Sequence, residues 1–511
     1  MNSRTQKSAV NITVAILSNT LTMILAFVSR SLFIHYLSAE YLGINGLLSN
    51  VLTVLSFAEL GIGEAVTYAM YKPVKNNDQK LIAQLMQFYK KAYTTIGCTV
   101  GIVGVAISFL LNYLINEAPN IPENLQIIFL FFIANNMLSY FLAYKKSIFI
   151  AYQENYIITI VSQITSFAQQ IVQIVILALT KQYYLYLTVQ LVCTLANNII
   201  ISALTQKKYG WAFTKVKDDL PPSTISSIYK NIKSLSISKI AGVVSNGADN
   251  IIISKLLGLT SVGLVSNYTL IINTSNTILW NGLSNIASSF GNFNVDSTFS
   301  RRRELFNELF LCSYWLYGFL TVSIIALINP FIELWLGRAF LVSDNVVFSL
   351  VLIIYVSGIN YPVYTYQTTL GMYDKLKYPY VASGLLNIIL SIIFGLKFGL
   401  VGIYIATSLS RICTSEAFGG YYVYKNGLNL PPLKYALKYL LFFGLLILNA
   451  SITKTITNII PITGIVGFII KTLACILVCN IFFIMVFCKT AEFKSLKNRI
   501  FFLLKNFSLK S

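Results

Sequence analysis

Arg30, Lys239 and Arg411 fall inside long apolar runs, where a charge needs a partner, a cavity or an ion path. A guanidinium offers a planar fork that grips phosphate oxygens in pairs, and an ammonium offers a point charge. The three cations are therefore candidates to line a tall cationic cavity between two lobes. Arg411 is the deepest, about ten residues from either end of its run and poorly placed to snorkel. Its structural alternative is a buried pair with a carboxylate such as Glu416. For Arg30 and Lys239 the alternative is snorkelling to the nearer interface. Glu59, Asp249 and Glu416 are candidates for holding a coupling ion, a proton or sodium, if their surroundings favour a bound ion. Structural hydrogen bonding to a neighbouring helix is the competing role for Glu59 and Asp249.

Spacing extends the set. At 100° per residue Lys239, Gly242, Asn246, Asn250 and Ile253 align on one helix face, with Asp249 on its shoulder and Lys255 opposite. Asn45, Ser49, Ser56, Glu59 and Gly63 form a matching stripe on an earlier run. Stripes this polar in lipid face protein or water, which adds Asn246 and Asn250 to the residues that contact substrate. Asn360-Tyr361-Pro362 should kink its helix, because the proline removes a backbone donor and crowds the preceding turn. Catalytic and metal chemistry find little support. His35 is the only histidine, and the seven cysteines lie in or at the ends of apolar runs. Cys475 and Cys479 have helical spacing but no histidine or acidic company, so they read as packing, and no cofactor is expected.

The elements that must carry these residues follow from composition. Of 511 residues 56% are hydrophobic and 11% charged, with a mean hydropathy of +0.69, against about 25% charge in soluble domains. Lipid is the solvent. Apolar runs of bilayer length predict helices near 10–34, 42–66, 92–115, 125–143, 157–179 and 183–204, then 236–257, 263–288, 307–333, 345–370, 379–397 and 400–424, and finally 438–453 and 465–488. The fold class is an all-α polytopic membrane protein of about fourteen transmembrane helices. Helix starts recur about 220 residues apart, so two six-helix lobes are related by an internal parallel repeat. The expected divisions are 1–210, 211–430 and, with two additional helices and a basic tail, 431–511. Met1–Val10 reads as the flank of a retained signal anchor. Lysine and arginine concentrate in alternate loops, which puts both termini in the cytoplasm. The net charge of +20 is spread beside helix ends, where it sets orientation and touches anionic membrane lipids; nucleic acid is a poor partner.

Tyr41-Leu42-Gly43-Ile44-Asn45-Gly46-Leu47 and Ala58-Glu59-Leu60-Gly61-Ile62-Gly63 open the first lobe, and Asp249-Asn250-Ile251-Ile252-Ile253-Ser254, Gly258 and Val262-Gly263 the second. Over residues 10–488 this resembles the polysaccharide-transport branch of the multidrug/oligosaccharidyl-lipid/polysaccharide exporter superfamily, the Wzx-type flippases. The resemblance implies a flippase of the bacterial cytoplasmic membrane. It would turn an undecaprenyl-pyrophosphate-linked oligosaccharide repeat unit from the inner to the outer leaflet by alternating access, for capsule, exopolysaccharide or O-antigen synthesis. A polysaccharide polymerase and assembly proteins are its implied partners. Arg30, Lys239 and Arg411 rest on the residues of this chain, not on matched family positions. Rival readings are a lipid II flippase, or a drug and cation antiporter, which would want an acidic cavity. A membrane glycan polymerase or glycosyltransferase would need catalytic residues on a sizeable outer loop; the outer loops are short and hold no paired carboxylates, so the chain reads as a transporter and not an enzyme. A non-transporting scaffold would leave the polar stripes unexplained.

Overall fold

The structure, a computed structural model, describes residues 25, 27–55, 59, 62–114, 121–214, 216, 220–289, 298–370 and 372–498; within them the side chains of 39, 64, 112, 114, 231, 233–247, 285–289, 369, 373 and 374 are not described. Every regular element among the described residues is helical. In chain order these are α1 (27–36), α2 (Ala39–Leu55), α3 (Ile62–Lys75), α4 (Gln79–Ser108), α5 (Leu111–Leu114), α6 (Leu125–Tyr140), α7 (Lys146–Ala151), α8 (Asn155–Thr180), α9 (Tyr183–Tyr209), α10 (Pro222–Leu257), α11 (Leu259–Ser289), α12 (Phe299–Leu336), α13 (Asp344–Ile359), α14 (Tyr361–Thr369), α15 (Tyr373–Arg411), α16 (Ala417–Tyr422), α17 (Leu433–Ile459) and α18 (Gly464–Phe487).

Local chemistry sets several starts. Asp78 caps α4 by accepting from the Leu81 amide at 3.0 Å, and Asn124 caps α6 through the Gln126 amide at 2.8 Å. Pro221-Pro222 opens α10, whose first position needs no amide donor. That start lies fourteen residues before the expected 236, so the basic segment ahead of the apolar run is helical too.

Eight helices among the described residues are long and apolar enough to cross a membrane, nine with the pair Asp344–Ile359 and Tyr361–Thr368, which is bent by 42°. The bend falls at the expected Asn360-Tyr361-Pro362. One of the eight, Lys375–Gly427, is folded back on itself. A straight helix would hold Asn387 and Thr407 about 30 Å apart, yet Asn387 Nδ2 donates to Thr407 Oγ1 at 2.8 Å. The reversal is at Gly399, whose φ of 58° an L side chain resists. Its arms are the two helices expected at 379–397 and 400–424.

The chain forms two compact units, Met1–Gly263 and Leu264–Ser511. The boundaries expected at 210 and 430 follow the sequence repeat; the units follow packing, and α10 lies against α2 and α3 in the first. Unit 1 has two cores, one around Ile44, Leu47, Phe129 and Tyr183, the other around Met70, Met86, Tyr93 and Tyr209. In unit 2, α17 and α18 pack on α12 through Phe310, Tyr314, Phe442, Cys475, Cys479 and Phe487. The cysteines are thus packing residues. Leucine, isoleucine and methionine instead cover outward faces, as at Leu179, Ile465 and Met485, which suits contact with acyl chains.

Internal repetition is visible in the breaks. Helix α6 stops at Phe141 and α13 at Asn360, each followed by a short helix. The α8–α9 reversal uses Lys181 at φ 55°, and the α15 reversal uses Gly399, 218 positions later.

Candidate functional site

Glu59 lies in a turn, its carbonyl accepting from the Ile62 amide at 2.8 Å where α3 begins. Ser56 of the expected stripe lies outside the described residues, as do 57, 58, 60 and 61. Tyrosines surround the Glu59 carboxylate. Tyr93 donates to Glu59 Oε1 at 2.5 Å, and Tyr89 and Tyr93 meet edge to face with centroids 4.5 Å apart. Tyr140 stacks its edge on Tyr93 from α6. Gly63 makes room: a Cβ there would stand 2.6 Å from the Tyr93 hydroxyl, 2.7 Å from that of Tyr89 and 3.3 Å from Glu59 Oε1.

At the other end of α2, Asn45 accepts from Tyr183 at 2.6 Å, while Tyr41 donates to Glu123. Arg30 acts electrostatically on Tyr186 of α9, and Phe33, one turn on, sets its edge against Tyr183 and Tyr186. The approach of α2 to α10 and α11 requires its glycines. A Cβ on Gly43 would lie 2.1 Å from the Leu259 carbonyl oxygen, and one on Gly46 would meet Val262 at 2.9 Å and the Asn250 amide at 3.8 Å. Asn250 therefore does face α2, and Asp249 beside it is buried. Lys239 and Asn246 have side chains outside the described residues.

In unit 2, Arg411 lies near the middle of the second arm of Lys375–Gly427, as expected, where the α-helix passes into a π-turn over Ile412–Glu416. Such turns displace the side chains that follow and recur at functional sites. Arg411 Nη1 donates to Ser357 Oγ of α13 at 2.9 Å. Three residues on, at the 42° bend, Asn360 Oδ1 accepts from Tyr435 at 2.6 Å, and the Tyr435 hydroxyl lies 3.4 Å from the Glu416 carbonyl. Arg411, Tyr435 and Tyr439 all interact electrostatically with the Glu416 carboxyl. The Tyr439 hydroxyl is buried with no hydrogen-bond partner among the described residues. Gly420 lets α17 close on this seam, since a Cβ there would stand 2.0 Å from the Tyr435 ring.

The structure thus gathers Arg411 with Glu416, places Asn250 against α2, and gives Glu59 partners of its own. Tyr89, Tyr93, Tyr435 and Tyr439 escaped the sequence reading, and Asn360 entered it only as part of a kink. Tyr89 and Tyr93 carried one usable signal, an i, i+4 pair of hydroxyls beside an apolar run. Tyr435 carried none, because its partner lies 75 positions away. Among the described residues no three His, Cys, Asp or Glu gather as metal ligands.

The sequence profile described as polysaccharide biosynthesis protein matches residues 8–280, more than half of the chain. The chain belongs to that family. Arg30, Glu59, Lys239, Asn246, Asp249 and Asn250 lie within the matched residues of this polysaccharide biosynthesis family member, and Arg411 and Glu416 beyond them. No curated protein matches it by sequence. Its fold is shared with solved membrane proteins. The lipid II flippase MurJ in an inward closed conformation superposes with a TM-score of 0.64 at 18% identity, covering 93% of this chain and 99% of MurJ. An inward-facing multidrug resistance MATE family transporter of the MOP superfamily gives 0.61 at 12% identity, covering 78% and 93%. A mutant of the Vibrio cholerae MATE transporter VcmN gives 0.51 at 13% identity, covering 84% and 99%. The chain is therefore a polytopic, all-helical membrane protein of polysaccharide biosynthesis, with the fold of these proteins.

Proposed function

We propose that the protein is a flippase. It moves an undecaprenyl-pyrophosphate-linked oligosaccharide repeat unit across the bacterial cytoplasmic membrane by alternating access, with both termini in the cytoplasm. The observation that carries this reading is the polysaccharide biosynthesis match on a chain whose fold is that of MurJ and the MATE transporters. Arg411 is assigned to the pyrophosphate, because a guanidinium grips two oxygens at once and already points a nitrogen to Ser357, a neutral and easily exchanged partner. Arg30, Lys239, Asn246 and Asn250 are assigned to the same anionic substrate in earlier or later states of the cycle. Glu59, Asp249 and Glu416 are assigned to the coupling ion, a proton or sodium. Basic loops hold the cytoplasmic side, so cysteine-accessibility labelling is expected to find position 302 inside and position 454 outside.

Reconstitution into vesicles with defined lipid-linked sugars tests the reading. Transfer of an undecaprenyl-pyrophosphate oligosaccharide to the outer leaflet, dependent on an imposed proton or sodium gradient, is expected. Transfer of lipid II alone would replace this substrate with that of MurJ, and export of cationic drugs without lipid-linked sugars would overturn the flippase reading. Glycan polymerisation by the purified protein would overturn the assignment as a non-enzyme.

A further inference from the structure

A cavity of about 530 Å³ lies in unit 1, between the first half of α4 and the segments that follow α6 and α9, and Glu59 is not among its walls. Its walls include Lys90, Lys91 and Thr94 of α4, Tyr144, and Phe213. Lys145 stands at its edge, with Nζ 5.0 Å from the centre of the Phe213 ring and 2.7 Å from Ser202 Oγ, and close enough to Lys90 for the two charges to repel. No aspartate or glutamate lines the cavity, and Lys90 and Lys91 have no carboxylate partner among the described residues. A lysine nearby shows the contrast: Lys208 is neutralised by the buried Glu154 at 2.5 Å. Among the described residues these ammonium groups meet no carboxylate, and an anion at the cavity would offset their mutual repulsion.

The level of the cavity along α4 says what kind. The helix has 30 residues, about 45 Å, against a hydrocarbon core of about 30 Å, so part of it protrudes. The uncharged run begins at Ala92, which sets Lys90 and Lys91 at the boundary between water and acyl chains on the side of the basic loops. Both are exposed, as are Thr94 and Thr95, so the mouth opens outward at headgroup depth. Aromatic and aliphatic walls behind a cationic mouth suit an amphipathic anion, and the volume is that of a site for one small molecule. We propose that this cavity binds the phosphate of an anionic glycerophospholipid, with Lys90, Lys91 and Lys145 around the headgroup and the glycerol end against Tyr144 and Phe213. The proposal does not depend on the transport reading.

Native mass spectrometry of the full-length protein in detergent tests it, titrating phosphatidylglycerol against phosphatidylcholine. Retention of phosphatidylglycerol over phosphatidylcholine is expected, with affinity falling about tenfold or more in Lys90→Gln/Lys91→Gln, as loss of two headgroup charges implies. Lys90→Arg/Lys91→Arg should keep the affinity, because the charge remains. Lys72→Gln/Lys75→Gln, at the basic end of α3 but outside the cavity, should keep it too. Equal binding by wild type and the double Gln variant would overturn the site, as would equal retention of phosphatidylcholine. Displacement by millimolar inorganic phosphate as effective as displacement by excess phosphatidylglycerol would show a free-phosphate site and overturn the lipid assignment. Thermal melting of each variant establishes that it is folded.

Discussion

Each compact unit holds a carboxylate among tyrosines, and the company of each is different. Glu59 lies on a turn, takes the Tyr93 hydroxyl at 2.5 Å, has Tyr89 and Tyr140 around it, and has no cation paired with it among the described residues. Glu416 ends a π-turn that begins one residue after Arg411, whose guanidinium acts on it and reaches Ser357. The first arrangement can gain or lose a proton or cation without breaking an ion pair. In the second, an anion that draws Arg411 away changes the charge felt by Glu416. Under the proposed function, ion exchange belongs to the first site and linkage between ion and anionic substrate to the second, and substitutions at four positions test that division.

The largest effect is expected at Arg411. Arg411→Ala should abolish export while the protein still inserts and folds, and Arg411→Lys should retain part of the activity, because it keeps charge but loses the fork. If Arg411 serves only to balance a buried carboxylate, Arg411→Ala should instead lower stability by about 3–5 kcal/mol. Folded protein in the membrane, measured beside export, separates the two. Normal export by a folded Arg411→Ala protein breaks the comparison.

Next is Glu59→Gln, which keeps the shape and the Tyr93 contact but cannot bind a proton or cation through charge. Transport in vesicles should persist downhill and lose its dependence on the imposed ion gradient. Retained dependence would remove Glu59 as a coupling group and leave its tyrosine nest a structural joint between α3, α4 and α6.

What could be seen beforehand sorts by range. Lipid-length apolar runs and a proline kink are local, and they located helices such as 157–179, 183–204 and 465–488 and the bend before Pro362, while starts that lie in polar sequence, at Gln79 and Pro222, fell outside them. Arg411, Glu59 and Asn250 were visible because an ionisable or amide side chain in an apolar run is anomalous by itself. The turn at Glu59 was not visible, because the apolar residues on both sides, Leu55 and Ile62 to Val66, kept a helical spacing through it. Tyr435 precedes the added helix expected at 438–453, and only the fold carries it to Asn360. The π-turn after Arg411 leaves no mark in composition.

A smaller effect belongs to Tyr435→Phe. It removes the donor to Asn360 and leaves a buried amide oxygen unpaired at the bend, which should cost about 1–3 kcal/mol. Thermal unfolding of the purified protein measures it, and no loss would mean that α17 is held to the bend by packing alone.

The smallest stability effect, and the sharpest test of the second site, is expected from Tyr439→Phe. The Tyr439 hydroxyl is buried, lacks a hydrogen-bond partner among the described residues, and interacts with Glu416. Removing a hydroxyl that makes no hydrogen bond forfeits none, so the melting temperature should stay the same or rise, in contrast to Tyr435→Phe on the same helix face one turn away. Transport should respond differently. If the hydroxyl is held in reserve for an ion or proton arriving at Glu416, Tyr439→Phe should weaken gradient dependence by a few-fold while leaving substrate affinity alone, since about 1 kcal/mol of hydrogen bonding to the bound ion is lost. Arg411→Lys should do the reverse, weakening substrate affinity first. Should both variants change the same parameter in the same proportion, ion and substrate are not separable at this seam, and the division between the two units fails at its second member.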